Sequence, residues 1–381
     1  MAETLPTSLS TALDISPSGD QFSMELPTDI AFGAGEFGLI HAFRVVKVKD
    51  LGYRTNKRTS PVSCGGYVAS LMAKYAVVHA SKHETLRTQT DVRTSLVQFY
   101  RPIIASKPVQ MQLREVSLGK VWSTLRVETS QFGKIAASAD LWLSDFKLPG
   151  ISLQTGWHLT TRQVDLSKLE MDCDPDWTSY QTAFHPNGFR RAHSYVRNFI
   201  PKSWPSDIKF TEQWILPGWD CLPQGSCAVQ KDEEKARWTT EMIQFAIDMS
   251  LPVQENFFPR SKRLPMGSVA ATLEFAAAQR DSRIQGRPNW RELELDGSKE
   301  PITQTVHVTL SMSTEVKRNL PRKGVRWLYL RSEVKRIVDG RMDMEILLCD
   351  ETMELIAVSQ HAAHIIPSAQ KLEKGGGKAN I

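Results

Sequence analysis

Cys64-Gly65-Gly66-Tyr67-Val68-Ala69-Ser70-Leu71-Met72-Ala73-Lys74-Tyr75-Ala76-Val77-Val78 is the stretch from which the fold is read. Small and apolar side chains fill nearly every position, so the run predicts a helix buried on most sides rather than one with a single apolar face. Strand-like runs follow at 94–100, 109–117, 122–129 and 134–143. Gly119 and Gly133 stand between them as turn residues.

The same order returns further along. Met242, Phe245, Ala246, Met249 and Val253 recur at helical spacing and predict a helix over 239–255, with Thr239 or Thr240 as its N-cap. After a long connection come strands at 304–312, 327–338, 342–349 and 355–366. Asp339-Gly340 is a hairpin signal, and Asp350-Glu351 marks another turn. One long helix followed by an antiparallel meander, occurring twice, reads as an internal duplication. The expected class is α+β, with two antiparallel sheets each wrapped around a long helix.

The boundaries follow from composition. Residues 1–34 read as a flexible lead-in and 35–147 as the first domain. Residues 148–204, rich in Trp, Pro and Gly, read as a connection packed on the surface, interrupted by Pro201. The second domain spans 205–367, including a short strand at 210–215. Residues 368–381, with Gly375-Gly376-Gly377, read as a flexible tail.

The 381 residues are 41% hydrophobic and 23% charged, the make-up of a globular chain able to bury a full core. A net charge of +5 suits an anionic ligand but is too small and too spread to argue for nucleic acid. The five cysteines, Cys64, Cys173, Cys221, Cys227 and Cys349, make no CxxC pair, so neither a metal site nor a disulfide framework is expected. No secretory signal and no membrane-spanning run is visible. No cofactor is expected.

Gly65-Gly66-Tyr67-Val68-Ala69, Phe99-Tyr100-Arg101-Pro102 and Gly119-Lys120-Val121-Trp122-Ser123 resemble the first half of the acyl-CoA thioesterase II type, a double hotdog. Phe245-Ala246-Ile247-Asp248, the strand from Thr305 to Met312, Val338-Asp339-Gly340-Arg341 and Leu355-Ile356-Ala357-Val358-Ser359-Gln360-His361 resemble the second half. The resemblance implies thioester hydrolysis of an acyl-CoA or acyl-carrier substrate. It implies an acid at Asp248, a hydroxyl at Thr309, and an amide slot at or beside His361, with Gln360 the competitor. Gly65, Gly66, Tyr67, Gly119, Trp122 and Ser311 are the candidate substrate contacts.

The chemistry fits these residue types. Thioester hydrolysis needs an activated water and a donor for the developing oxyanion. Asp248 is the only ionisable residue between Met242 and Gln254, and a lone carboxylate among apolar neighbours is costly unless it has a partner or a task. Val306, Val308, Leu310 and Met312 alternate with Thr305, His307, Thr309, Ser311 and Ser313, which predicts one polar strand face. Cys64 lacks the setting of a nucleophile and reads as structural. Lys317, Arg318, Arg322 and Lys323 form a solvated loop or meet coenzyme A phosphates. Other readings stay open: dehydration, isomerisation or acyl transfer on a polyketide-like thioester, or acyl binding without catalysis. A homodimer is compatible with the sequence. Ala379-Asn380-Ile381 is a loose match to a peroxisomal address, against a cytoplasmic location.

Overall fold

The structure is a computed structural model and describes residues 8–17, 21–26, 62–105, 107–185, 188, 190–219, 235–258, 267–294, 296–298 and 305–367. The helices among these are α1 (Leu9–Ala12), α2 (Gly65–Lys82), α3 (Leu166–Glu170), α4 (Ile243–Asp248) and α5 (Val269–Ile284). In the first half the strands are β1 (Gln21–Glu25), β2 (Asp91–Phe99), β3 (Pro108–Ser117), β4 (Trp122–Gln131) and β5 (Lys134–Ser144). They continue with β6 (Trp177–Tyr180), β7 (Val196–Pro201), β8 (Phe210–Pro217) and β9 (Thr305–Val316). The last four are β10 (Leu328–Glu333), β11 (Ile337–Val338), β12 (Arg341–Asp350) and β13 (Leu355–Pro367).

All of these strands belong to one 13-stranded sheet in the order β1-β3-β4-β5-β2-β9-β13-β12-β10-β8-β7-β6, with β11 on β12. The halves join where β2 pairs antiparallel with β9, from Thr94 opposite Glu315 to Gln98 opposite Ser311. The two expected antiparallel sheets are thus one continuous sheet: both meanders are there, and their facing edges hydrogen-bond to each other.

Helix α2 forms as its composition predicts. Tyr67, Leu71, Met72, Tyr75 and Ala76 are fully buried, and the helix packs on β2 to β5 and on α4. Each large apolar side chain so buried contributes roughly 1.5–3 kcal/mol.

The second long helix does not form as one piece. A 3-10 turn (Thr240–Met242) leads into α4, which ends at Asp248, and another 3-10 turn (Val253–Asn256) follows. Pro252 is the cause. It has no N–H to donate, and it biases Leu251 away from helical backbone. Asp248 therefore lies at a helix end, not in mid-helix. Helix α5 fills part of the region read as connection. Ser268 caps it by accepting from Ala271 N, but Glu274, Gln279, Arg280 and Asp281 dilute its apolar periodicity.

Two further expectations are corrected. Within the lead-in, Leu9 and Leu13 are fully buried and β1 pairs with β3. Within the 148–204 connection, β6 and β7 are buried and extend the sheet beyond β8. Phe199, Trp214, Trp327 and Tyr329 pack there as a second core. Cys221, Cys227 and residues 368–381, including Ala379-Asn380-Ile381, lie outside the described residues. Among the described residues no helix is long and apolar enough to cross a membrane.

Candidate functional site

The N-terminus of α2 and the C-terminus of α4 meet at the Phe99 end of β2. A Cβ built on Gly66 would lie 2.4 Å from Asp248 Cβ and 2.6 Å from the Gln244 carbonyl oxygen, so only glycine permits the contact. The Gly66 N–H donates to Asp248 Oδ2 at 2.8 Å, and the Cys64 thiol donates to the same oxygen at 3.2 Å. Oδ1 has no hydrogen-bond partner among the described residues. Burial, reinforced by the neighbouring Asp248 charge, holds the Cys64 pKa well above the usual thiol value. Cys64 is thus a neutral donor, not a thiolate nucleophile.

Facing this carboxylate is a side of the sheet whose register the sequence misstates. In the β9–β13 ladder Ser311 is opposite Ala362 but Thr309 is opposite Ala363, so Leu310 is a bulge. The bulge reverses the alternation. His307, Thr309, Met312 and Thr314 share a face with Ser359, His361, Ala363 and Ile365. Ser311 and Ser313 turn to the opposite face with Gln360 and Ala362. The predicted sharing of one polar face by Thr309 and Ser311 is therefore corrected, Ser311 being turned away from the carboxylate, and Gln360 is exposed on the wrong side to compete with His361.

A chain of hydroxyls fixes the state of His361. The Thr314 hydroxyl donates to Gln244 Oε1 at 3.0 Å, so at its 2.8 Å contact with Ser359 it must accept. Ser359 has then used its proton, and His361 Nε2, 3.1 Å away, must be the N–H donor. Nδ1 is left as a buried lone pair without a partner among the described residues. Burial pushes the His361 pKa down to about 4, with His307 adding to the shift and Asp248 opposing it. The ring is neutral at neutral pH.

His307 adds a second imidazole. Gln254 Nε2 donates to its Nδ1 at 3.0 Å. The ring stands in a recess: it keeps solvent-exposed surface, yet the surrounding protein lowers its pKa, against the pull of Asp248. Deeper in, burial raises the Glu255 pKa to about 7 while Thr305 donates to its Oε1. Gln244, Thr314, Ser359 and Gln254 were not legible as site residues. Gln244 alone carried a signal, standing four residues before Asp248 on the same helix face.

Other candidates are not brought here. Tyr67 is fully buried and its hydroxyl donates to the Ala12 carbonyl, so it anchors α1 and is not a substrate contact. Trp122 is opposite Ser144, which is opposite Asp91 at the far end of β2. That is eight residues, about 26 Å, from Phe99. Gly119, bonded through its carbonyl to Gln89, belongs to the same distant turn. In the Lys317–Lys323 cluster, Arg318 pairs with Asp350 and Lys317 with Glu315.

Two results are expected from this geometry. Thr309→Ala and His361→Ala each lower turnover more than Ser311→Ala and Gln360→Ala, measured as kcat on folded protein; the reverse ranking would place the reactive face on the other side of the sheet. Acid should also destabilise the fold. His361, His193 and His307 all have pKa values depressed by burial. Between the ordinary value of 6.5 and the folded value, about 4 for His361, the unfolded chain binds more protons, so stability falls as pH drops through that window. Glu255 acts oppositely, losing stability as pH rises from 4.5 to about 7. Three histidines outweigh one glutamate. The melting temperature should drop from pH 6.5 to pH 4, and less steeply in His361→Asn; parallel curves would exclude His361 as a contributor.

Comparison with known proteins agrees with this architecture. The chain is 23% identical over 349 residues to the thioesterase-like protein TwmA of Talaromyces wortmannii, covering 83% of this chain and 88% of that protein. A putative thioesterase II from Thermobifida fusca superposes with a TM-score of 0.57 at 12% identity, covering 95% of this chain and 99% of the other. A hotdog-fold protein of unknown function from Alicyclobacillus acidocaldarius gives 0.56 at 11% identity, covering 94% and 97%. At such identities the likeness speaks for the hotdog fold alone. The family of the acyl-CoA thioesterase C-terminal domain matches residues 85–365, most of the chain. The chain belongs to that thioesterase family and is a hydrolase acting on thioesters.

Proposed function

We propose that the chain hydrolyses acyl-CoA or acyl-carrier thioesters through a water activated by Asp248, in a double hotdog whose units, 35–147 and 205–367, are joined through β2 and β9. The single observation that carries this reading is the half-occupied carboxylate: Oδ2 is held by Gly66 and Cys64, while Oδ1 is left to accept a proton. The α2 N-terminus and the helix-facing side of β9 and β13 then bound the place where the thioester carbonyl lies.

Each group has a role set by its protonation state. Asp248 takes a proton from the water as the oxygen attacks the carbonyl carbon. His361 Nδ1, a lone pair, accepts the water's other O–H and orients it. Thr309 Oγ1–H supplies a donor to the oxyanion, which His361 in this tautomer cannot. Collapse of the tetrahedral intermediate expels the thiolate, which takes up a proton to leave as free thiol. Release of thiol from a panel of acyl-CoAs tests the reading. Thiol appearing at an enzyme-dependent rate supports it; none from any chain length overturns it.

A second reading keeps one observation of its own. A neutral imidazole with a free lone pair beside a carboxylate is also equipped to take a proton α to a thioester carbonyl, as dehydration or isomerisation requires. Exchange of the substrate's α-hydrogens in heavy water, without thiol release, would favour it.

A further inference from the structure

Strand β9 outruns its neighbour. β2 pairs with it only as far as Gln98 opposite Ser311, so from Leu310 back to Thr305 β9 is bonded to β13 alone among the described strands. The recess of His307 lies along this stretch. At one end of it is Phe99, the last residue of β2. A Cβ built on Gly65 would lie 3.3 Å from the Phe99 ring and 3.6 Å from Asp248 Oδ2, so the stretch begins beside the carboxylate. Thr309 and His307 follow on one face with no bulge between them, about 7 Å apart along the strand. Asp248 acts electrostatically on His307 and on His361, and His307 on His361.

A tetrahedral intermediate needs donors for its oxygen, and few side chains on this face of β9 and β13 have a proton to offer. Thr314 donates to Gln244, Ser359 donates to Thr314, and His361 presents a bare Nδ1. Met312, Ala363 and Ile365 have no donor. Thr309 and His307 remain. The Thr309 hydroxyl rotates and is committed to no single acceptor. The His307 donor is fixed. Gln254 Nε2 donates to its Nδ1 at 3.0 Å, so the ring proton is on Nε2, which has no partner among the described residues. Gln254 is 1% exposed and belongs to the 3-10 turn that follows Pro252. The break that ends α4 at Asp248 therefore also places the amide that sets the tautomer of His307. A neutral imidazole can stabilise a developing oxyanion without giving its proton away.

We propose, resting on the thioesterase reading above, that His307 is a catalytic residue whose Nε2–H donates to the thioester oxygen beside Thr309, and that Gln254 is the positioning residue that keeps the proton on Nε2. That proton stays on Nε2 throughout, while Asp248 takes the proton of the water. β9 then serves the oxygen, and α4 and β13 serve the water.

The test measures turnover of the acyl-CoA that wild type cleaves fastest, in His307→Gln, His307→Phe and the double variant His307→Phe/Gln254→Leu. His307→Gln keeps an N–H at similar reach and should retain most of kcat. His307→Phe keeps a ring without a donor, and kcat should fall about a hundred- to a thousandfold with KM little changed, the scale of one lost oxyanion donor. The double variant also removes the buried amide left without its partner, so it serves where the single variant folds poorly, and it should be equally slow. Near wild-type kcat in either folded variant overturns the proposal, as does His307→Gln no faster than His307→Phe. Nitrogen NMR should find the His307 proton on Nε2 in wild type and spread over both nitrogens in Gln254→Leu, with kcat several-fold lower; a bare Nε2 in wild type refutes the assignment. A last measurement needs no turnover. An acyl-CoA with an isotope-labelled carbonyl, bound to Asp248→Asn, should show its C=O stretch lowered from the value in water, and less so in Asp248→Asn/His307→Phe. If no thioester releases thiol but the stretch still depends on His307, the hydrolase reading fails and the donor stands. If thiol is released and neither rate nor stretch responds to His307, other groups hold the oxygen and the proposal fails.

Discussion

Asp248→Asn should reduce thioester cleavage by about a hundredfold or more while leaving the fold intact, the usual scale for a lost general base. The argument for an intact fold is local. The asparagine carbonyl still accepts from the Gly66 N–H, which holds the ends of α2 and α4 together. What disappears is the capacity to take a proton, because an amide is not basic. The variant should melt within a few degrees of wild type and bind substrate, yet release little thiol. Near wild-type kcat would remove Asp248 from the reaction. A large fall in melting temperature with proportionate loss of activity would mean that the carboxylate is only a helix clamp.

Gly66→Ala should be strongly destabilising. In an ordinary helix interior this change gains about 1 kcal/mol. Here the added methyl would stand 2.4 Å from Asp248 Cβ, 2.6 Å from the Gln244 carbonyl and 3.0 Å from Phe245 Cα. Two of those atoms are backbone and cannot swing away, so the helices must separate. Overpacking of this kind costs about 3 kcal/mol or more, outweighing the helical gain. Urea denaturation is the measurement: the midpoint should fall sharply. Gly65 nearby is the control. Its built Cβ meets the Phe99 ring edge at 3.3 Å and Asp248 Oδ2 at 3.6 Å, contacts that side-chain movement relieves. Equal effects at the two positions would refute the close packing of α2 on α4.

The two substitutions separate the two uses of one contact. Gly66 and Asp248 touch in both backbone packing and hydrogen bonding, so the same approach that lets the helices meet also orients the carboxylate. Asp248→Asn keeps the approach and removes the base. Gly66→Ala keeps the base and removes the approach, and its remaining folded fraction should lose kcat as well.

The sequence by itself determined the burial of α2, because an unbroken run of small and apolar side chains has no polar face to turn to water. It determined most strands of both meanders and the Asp339-Gly340 turn, where both residues have positive φ of 50° and 74°. It also singled out Asp248, since one carboxylate among apolar neighbours stands out locally. These are short-range signals. Tertiary structure decided what depended on pairing between distant segments. The joining of two sheets into one follows from the edges of β2 and β9, some 200 residues apart, finding each other. Leu310 looks like any alternating residue, and only the mismatch between β9 and β13 makes it a bulge and sends Ser311 to the far side from Thr309. The same ladder decided between His361 and Gln360, because a strand's two faces are equivalent until a partner buries one of them. Pro252 breaks a helix locally, but the apolar residues at helical spacing run past it, so only the structure shows where α4 stops. The lone pair on His361 Nδ1 follows from Gln244, Thr314 and Ser359 on three separate elements, a proton arrangement that no local pattern encodes.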